Sequence, residues 1–169
     1  MLKIDSKNQD FSFLLRKLHA LLKYQFNLTT EQVKKIISDD CIIKISRKTK
    51  RIRSIEKNGK ILFTLRPNDG FLIFHIEGAL ETLKICDFPK NRIVVKNEIA
   101  EMIAQGRTLF TKHVLKCDNR IKNSSEVIVV NENDELLAVG RSLLNYRELK
   151  DLNFGMGVKI RRGTKNNIN

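Results

Sequence analysis

Arg92-Ile93-Val94-Val95 opens the part of the chain that decides its fold, residues 92–163. Runs of β-branched residues bounded by polar turns predict strands, and apolar residues at three- and four-residue steps predict helices. The predicted elements are, in chain order, a strand at 92–95, a helix at 97–105, strands at 126–130 and 135–140, a short helix at 145–152 and a closing strand at 157–162. This order predicts a small β-rich module that closes on a basic strand.

The residues before Arg92 predict helices packed on an antiparallel sheet. The predicted elements are an amphipathic helix at 10–24, a second helix starting at Thr29, a three- or four-stranded sheet at 41–75 and a helix at 77–86. Thr29 and Gln32 have the spacing of a capping box. Asn58-Gly59 lies between two strand-like runs, and a type I′ hairpin turn needs positive φ at both of these positions.

Pro89 marks the predicted domain boundary, because proline interrupts the periodic pattern and a new strand begins just after it. We therefore expect two domains, an α+β domain at 1–90 and a second domain at 91–169. The fold class is α+β, with N-terminal helices packed on a small antiparallel sheet.

Composition narrows the class of protein. Hydrophobic residues make up 41% of the 169, enough for a core, and the formal net charge of +13 indicates an anionic partner. No apolar run approaches the roughly 20 residues that span a bilayer, so we expect no membrane contact. Three widely spaced cysteines without a CxxC motif indicate buried, reduced thiols and a cytoplasmic protein.

The positive charge is concentrated between residues 44 and 66, a stretch that contains nine Lys or Arg and a single acidic residue, Glu56. Such a density can track a phosphate backbone, although a solvated basic face is the alternative. No aromatic interleaving supports base stacking by these cations, so we expect contacts to phosphates and shape. The candidate RNA-binding residues of this region are Arg47, Lys48, Arg51, Arg53 and Arg66.

The second half resembles the PUA domain, an RNA-binding pseudo-barrel. The resemblance rests on Leu136-Leu137-Ala138-Val139-Gly140-Arg141 after a strand and turn, and on the closing Gly155-Met156-Gly157-Val158-Lys159-Ile160-Arg161. It implies a C-terminal PUA pseudo-barrel with RNA against the loop after the first helix and the closing strand. The residues that we expect to contact RNA there are Gly106, Arg107, Lys112, His113, Arg141, Lys159, Arg161 and Arg162.

Physical chemistry supports several of these positions. Gly106 lets a phosphate or base approach the backbone, and it can also end the helix in the left-handed region. Arginine and lysine neutralise phosphates, and strand alternation places Lys159 and Arg161 on one face. We expect Phe110 in the core, because aromatic residues often fill small cores.

The chain as a whole is similar to the C-terminal end of the archaeosine tRNA-guanine transglycosylases. Matching motifs are Tyr24-Gln25-Phe26, Ser46-Arg47-Lys48-Thr49, Thr64-Leu65-Arg66, Gly106-Arg107-Thr108-Leu109-Phe110 and His113-Val114. The resemblance implies an archaeal tRNA-binding protein of tRNA modification. It also implies that the family's catalytic barrel, with its aspartates and zinc ligands, has no counterpart in these residues.

We therefore expect no catalytic residues, no metal and no cofactor. The leading hypothesis is the non-catalytic, tRNA-binding subunit of a split transglycosylase, whose partners are tRNA and a separate catalytic subunit. Its PUA domain would hold an exposed tRNA end such as the acceptor stem. The alternatives are a relative serving another tRNA-modifying enzyme, a stand-alone PUA adaptor in translation or ribosome biogenesis, and a small enzyme of its own.

Overall fold

The computed structural model describes residues 2–3, 9–38 and 40–165. It divides into two compact units, unit 1 up to Cys86 and unit 2 from Asp87 onward. Each combines helices with an antiparallel or mixed sheet, so the predicted α+β class is confirmed.

The described residues of unit 1 form one antiparallel sheet and three helices. Its elements are β1 (Leu2–Lys3), α1 (Gln9–Phe26), α2 (Thr30–Ile36), β2 (Ile42–Ile45), β3 (Ile52–Lys57), β4 (Lys60–Leu65), β5 (Leu72–Phe74) and α3 (Ile76–Ile85). The strands lie in the order β1-β2-β3-β4-β5. The three predicted helices and four strands within 41–75 are therefore confirmed, whereas the fifth strand, β1, lies outside the predicted sheet and pairs with β2.

Local sequence chemistry explains where these elements begin and turn. Thr29 Oγ1 accepts a hydrogen bond from the Gln32 amide, and the Thr29 amide donates to Gln32 Oε1, which completes the capping box. Asn58 and Gly59 both have positive φ, at 50° and 76°, and connect β3 to β4. Both predictions are confirmed because they depend only on neighbouring residues.

An aromatic cluster forms the centre of unit 1. The ring centroids of Phe26 and Phe74 are 4.4 Å apart, and those of Phe63 and Phe74 are 5.4 Å apart. All three side chains are buried, so α1 packs onto β4 and β5 through aromatic contacts. Gly78 brings α3 against β4, since an added Cβ would lie 2.1 Å from the Leu62 carbonyl oxygen.

Unit 2 is built on a curled six-stranded sheet. Its elements are β6 (Arg92–Val95), a 3-10 turn (Asn97–Ile99), α4 (Ala100–Ala104), β7 (Leu109–Phe110), a second 3-10 turn (Thr111–His113), β8 (Val114–Cys117), β9 (Glu126–Val130), β10 (Leu136–Ser142), α5 (Tyr146–Asp151) and β11 (Met156–Gly163). The strands lie in the order β7-β11-β10-β9-β6-β8, and β6 and β9 run parallel.

A hydrophobic core fills the inside of this curled sheet. It includes Ile93, Val127, Leu109, Leu149 and Val158, each at most 1% exposed. The buried Arg92 ties the start of β6 to two turns, because its Nε lies 2.7 Å from Asp134 Oδ1 and its Nη1 donates to the Lys90 carbonyl. The helices α4 and α5 and the closing strand β11 all contribute side chains to this core, and the packing fixes their positions.

Candidate nucleic-acid interface

A basic cleft of about 390 Å³ opens on unit 1 between the β2–β3 loop, the β4–β5 turn and α1. Its charged lining consists of Lys17, Arg51, Arg53, Arg66 and a single carboxylate, Asp69. The structure therefore brings three of the predicted arginines together around one concave surface. A cleft lined by one sign of charge concentrates the field and attracts an anionic ligand.

Strand alternation accounts for two of these side chains. Arg51 and Arg53 are exposed and flank the buried Ile52 at the start of β3, so both project from the solvent face of the hairpin. Neither forms an ion pair with another described residue. Their charges are available to a phosphate backbone.

Arg66 has neighbours within the protein that hold it in place. Its Nε lies 3.2 Å from Asp69 Oδ1, an ion pair without hydrogen-bond geometry, and its guanidinium lies 5.6 Å from the centroid of the Phe71 ring. The side chain is only 17% exposed. Arg66 is thus pre-positioned at the cleft rather than extended into solvent.

Arg47 and Lys48 lie on the β2–β3 turn, next to the cleft in sequence. The Lys50 amide donates to the Ser46 carbonyl, and the Ser46 amide donates to the Arg51 carbonyl. These bonds close the turn and leave both basic side chains exposed. Any contact they make with RNA extends beyond the cleft itself.

A second cleft, of about 600 Å³, lies between α1 and α2. Arg16, His19, Lys23, Tyr24 and Thr30 contribute to its lining. Sequence reasoning missed this cleft, although the pairs Arg16/Lys23 and Lys17/Tyr24 stand seven residues apart and so share helix faces. The apolar periodicity of α1 predicts only its buried stripe, whereas Arg16, Lys17 and Tyr24 lie on its exposed face.

His19 is sensitive to the charge of this second cleft. Burial, and then the nearby ammonium groups of Lys34 and Lys23, lower the pKa of His19. Its Nε2 is buried and has no hydrogen-bond partner among the described residues. The imidazole is therefore neutral near physiological pH, and the positive field comes from the lysines and Arg16.

Gly106 ends α4 as the sequence predicts. It has a φ of +89°, its amide donates to the Ile103 carbonyl, and the Arg107 amide donates to the Met102 carbonyl. This pattern satisfies the last carbonyls of the helix. Gly163 of β11 packs against the same turn, since an added Cβ would lie 2.8 Å from the Gly106 amide nitrogen.

The closing strand carries basic residues on its outward face. Lys159 is paired with Arg141 across β10 and β11, and Arg141 is paired in turn with Glu126 of β9. Arg161 interrupts this register as a bulge, and its Nη2 donates to Glu126 Oε1 over 2.9 Å. Lys159 and Arg161 therefore share a face, while Arg161 is partly committed to a structural ion pair.

The remaining candidates follow β7. Lys112 is exposed, and His113 is partly buried, with its Nδ1 3.7 Å from Glu98 Oε1, too far for a hydrogen bond. Phe110 is 45% exposed, so the expectation that it lies in the core is wrong. Leu109 takes the inward position of this two-residue strand, and alternation turns Phe110 outward.

Ion pairing separates the candidates into two groups. Arg66 and Arg161 have carboxylate partners. The other arginines and lysines of the predicted set form no ion pair within the described part of the chain, and these are Arg47, Lys48, Arg51, Arg53, Arg107, Lys112, Arg141, Lys159 and Arg162.

Two other kinds of site receive no support from the described residues. Within residues 2–3, 9–38 and 40–165, no group of three His, Cys, Asp or Glu side chains is placed to hold a metal ion. No described helix combines the length and the apolarity that a membrane span needs.

Family models match both units. Residues 16–89 match the patch-forming domain C2 of tRNA-guanine transglycosylase, and residues 91–164 match the PUA domain. Together these matches account for most of the chain, with the transition between them at residue 90.

Sequence relatives connect the two domains to one enzyme. The chain is 42% identical over 167 residues to the tRNA-guanine(15) transglycosylase of Methanococcus aeolicus, covering 95% of this chain. It is 40% identical over 167 residues to that of Methanocaldococcus jannaschii, covering 96%. The chain spans about a quarter of the length of these curated relatives, 25% in both cases.

Solved structures share the fold. A hypothetical protein of Pyrococcus horikoshii superimposes with a TM-score of 0.75 at 21% identity, over 99% of this chain and 96% of that one. A PUA-domain protein of Aeropyrum pernix superimposes with a TM-score of 0.66 at 16% identity, over 99% of this chain and 87% of that one.

The family models and the sequence relatives together identify the two domains. Residues 16–89 belong to the patch-forming C2 domains of tRNA-guanine transglycosylase and residues 91–164 to the PUA domains, and the chain resembles the C-terminal, non-catalytic domains of archaeosine tRNA-guanine transglycosylase.

Proposed function

We propose that this chain binds tRNA through both units and serves an archaeosine-forming transglycosylase reaction without catalysing it. A catalytic domain on a separate polypeptide exchanges the target guanine for a modified precursor, while this chain holds the tRNA. On this proposal the chain and the catalytic polypeptide both act in the cytoplasm, where reduced cysteines are the normal state.

The basic cleft of unit 1 is the observation that carries the proposal. Lys17, Arg51 and Arg53 surround it with a single carboxylate, Asp69, in the lining. Phosphate contacts dominate the affinity of proteins for nucleic acids, and such contacts need cations without internal partners. The similarity to relatives named tRNA-guanine(15) transglycosylase supports tRNA as the anionic ligand.

The outward face of β10 and β11 supplies a second contact. Arg141 and Lys159 lie side by side there, and Arg107 follows the Gly106 turn. On this proposal the PUA unit holds an exposed tRNA end such as the acceptor stem. Unit 1 then contacts another part of the phosphate backbone.

Binding of an unmodified tRNA transcript over a range of salt concentrations tests the first part. The double variant Arg51→Ala/Arg53→Ala is compared with Lys60→Ala/Lys84→Ala, which removes the same charge at exposed positions paired with α3 glutamates. We expect the cleft variant to bind more weakly and to reduce the slope of log K against log salt by about 2. Equal binding by both variants, or binding that does not respond to salt, overturns the proposal.

Purification of the tagged chain at low salt, with and without RNase, tests the second part. Recovery of tRNA together with a transglycosylase catalytic domain supports the split arrangement. Recovery of ribosomal proteins instead favours the stand-alone adaptor. Base exchange by the isolated chain would assign the enzyme activity to this polypeptide.

A further inference from the structure

Tyr24 is a large aromatic side chain that the structure leaves in solvent and yet holds in place. It is 78% exposed, and its ring stacks on Phe71 with centroids 6.4 Å apart and planes 18° apart. The Arg66 guanidinium lies 5.6 Å from the centroid of the same Phe71 ring. A ring fixed in this way has lost part of its side-chain entropy before any ligand binds.

This arrangement joins the two basic clefts of unit 1. Tyr24 lines the cleft between α1 and α2, where Arg16 and Lys23 supply the charge. Arg66 lines the cleft beside β3, where Lys17 and Arg51 supply it. The series Tyr24, Phe71 and Arg66 therefore runs from one cation-lined surface to the other.

The charge around Tyr24 favours a nucleic acid over a protein surface as its ligand. From Phe11 to Thr30 the chain contains no acidic residue and three basic ones, Arg16, Lys17 and Lys23. Single-stranded nucleic acids bind where aromatic rings that stack on bases alternate with cations that contact phosphates. The single aromatic residue of the stretch 44–66, Phe63, is buried, so the aromatic rings beside these cations come from α1 and the β4–β5 turn.

We propose that Tyr24 stacks on an unpaired base of a bound RNA while the flanking clefts hold the adjoining phosphates. This inference rests on the proposed function and adds a site for a splayed-out nucleotide to it. The unpaired base comes from a tRNA loop or from any single-stranded RNA, and both sources share the same stacking chemistry.

Three substitutions at Tyr24 separate stacking from other effects. Tyr24→Phe keeps the aromatic face and should bind a tRNA transcript as the unsubstituted chain does. Tyr24→Ala and Tyr24→Leu should each weaken binding about tenfold, since one base–aromatic stack is worth roughly that factor. Leucine keeps apolar bulk, so a weakened Tyr24→Leu variant identifies the lost interaction as ring stacking.

The salt dependence distinguishes this site from the phosphate contacts. Removing Tyr24 removes no cation, so the slope of log K against log salt should stay the same while the affinity falls. A single-stranded oligonucleotide and a fully paired RNA duplex serve as the two probes. We expect the tenfold loss with the tRNA and the oligonucleotide, and none with the duplex.

Intrinsic fluorescence gives a direct view of the ring. The chain has two tyrosines, Tyr24 and Tyr146, and no tryptophan, so Tyr146→Phe leaves Tyr24 as the only tyrosine emitter. Titration with the oligonucleotide should quench this emission beyond the absorbance correction measured with free tyrosine. Unchanged emission at saturating RNA overturns the inference.

The two proposals fail in different ways. If the unsubstituted chain shows no salt-dependent binding of tRNA, the proposed function fails and the inference fails with it. If the chain binds tRNA and the Tyr24→Ala variant binds equally well, only the stacking site is rejected. Loss of a protein partner by Tyr24→Ala with unchanged RNA affinity also rejects it and assigns the surface to protein contact.

Discussion

Arg161 Nη2 lies 2.9 Å from Glu126 Oε1, and the Glu126 side chain is completely buried between strands of unit 2. A residue that the resemblance assigns to RNA contact therefore also neutralises a buried carboxylate. Its neighbour Arg162 has no carboxylate partner among the described residues and is exposed. The two arginines make a matched pair for separating stability from binding.

We expect Arg161→Ala to destabilise unit 2 by about 2 kcal/mol. Breaking a buried ion pair costs about 3–5 kcal/mol, and the partial exposure of Arg161 lets water screen some of that loss. Arg162→Ala should change the free energy of unfolding by less than about 0.5 kcal/mol and should weaken tRNA binding. Denaturant unfolding followed by circular dichroism measures the first effect, and equal stability of the two variants contradicts the prediction.

Gly163 should tolerate no side chain. An added Cβ would lie 1.9 Å from the Ala104 carbonyl oxygen, so Gly163→Ala forces β11 away from the Gly106 turn at a cost of about 3 kcal/mol. Gly155→Ala is the control, since its Cβ meets open space and only its φ of +94° is unfavourable, for about 1 kcal/mol. Comparable midpoints of thermal unfolding for both variants would be the contrary result.

His19 should make unit 1 less stable in mild acid. Its folded-state pKa lies below the usual value of about 6.5, mainly through burial, so the unfolded chain binds the proton more readily. The free energy of unfolding is therefore highest above about pH 6.5 and falls as the pH drops through that value toward the lower folded-state pKa. NMR titration of the three histidines checks the pKa directly, and His19→Gln should show a smaller loss of stability between about pH 7.5 and about pH 5. A His19 pKa above 6.5 would contradict this.

Cys117 should be unreactive in the folded protein. Burial and the neighbouring Asp118 carboxylate raise the pKa of its thiol to about 11, and burial also raises the pKa of Cys41. Because the thiolate is the reactive form, alkylation near neutral pH should be slow for both. Mass spectrometry after iodoacetamide treatment, with a denatured sample as the control, measures the difference. Complete modification of Cys117 in the native sample at the denatured rate is the outcome that disagrees.

Some features of the candidate interface were predictable from short stretches of sequence. Gly106 was recognised at the end of α4 because a helix terminus needs a residue with positive φ there. Arg51 and Arg53 are candidates because Lys and Arg are dense between residues 44 and 66, and strand alternation around the buried Ile52 accounts for their exposure. Phe110 was misplaced, since a two-residue strand is too short for its pattern to show which side chain turns inward.

Sequence by itself determined the helices and most of the strands of this protein, their caps and turns, and the two domain families, because these depend on periodicity, on a few neighbouring residues and on family motifs. It did not predict the short strands β1, β7 and β8. Only the tertiary structure decided which distant side chains lie next to one another. Lys17 of α1 lies in one cleft with Arg53 of β3, Tyr24 stacks on Phe71, and Arg161 pairs with Glu126. These pairs lie far apart in the chain, and the packing of helices on the sheet and the register of the strands bring them together. No local pattern encodes such long-range contacts, because they depend on how the whole core packs.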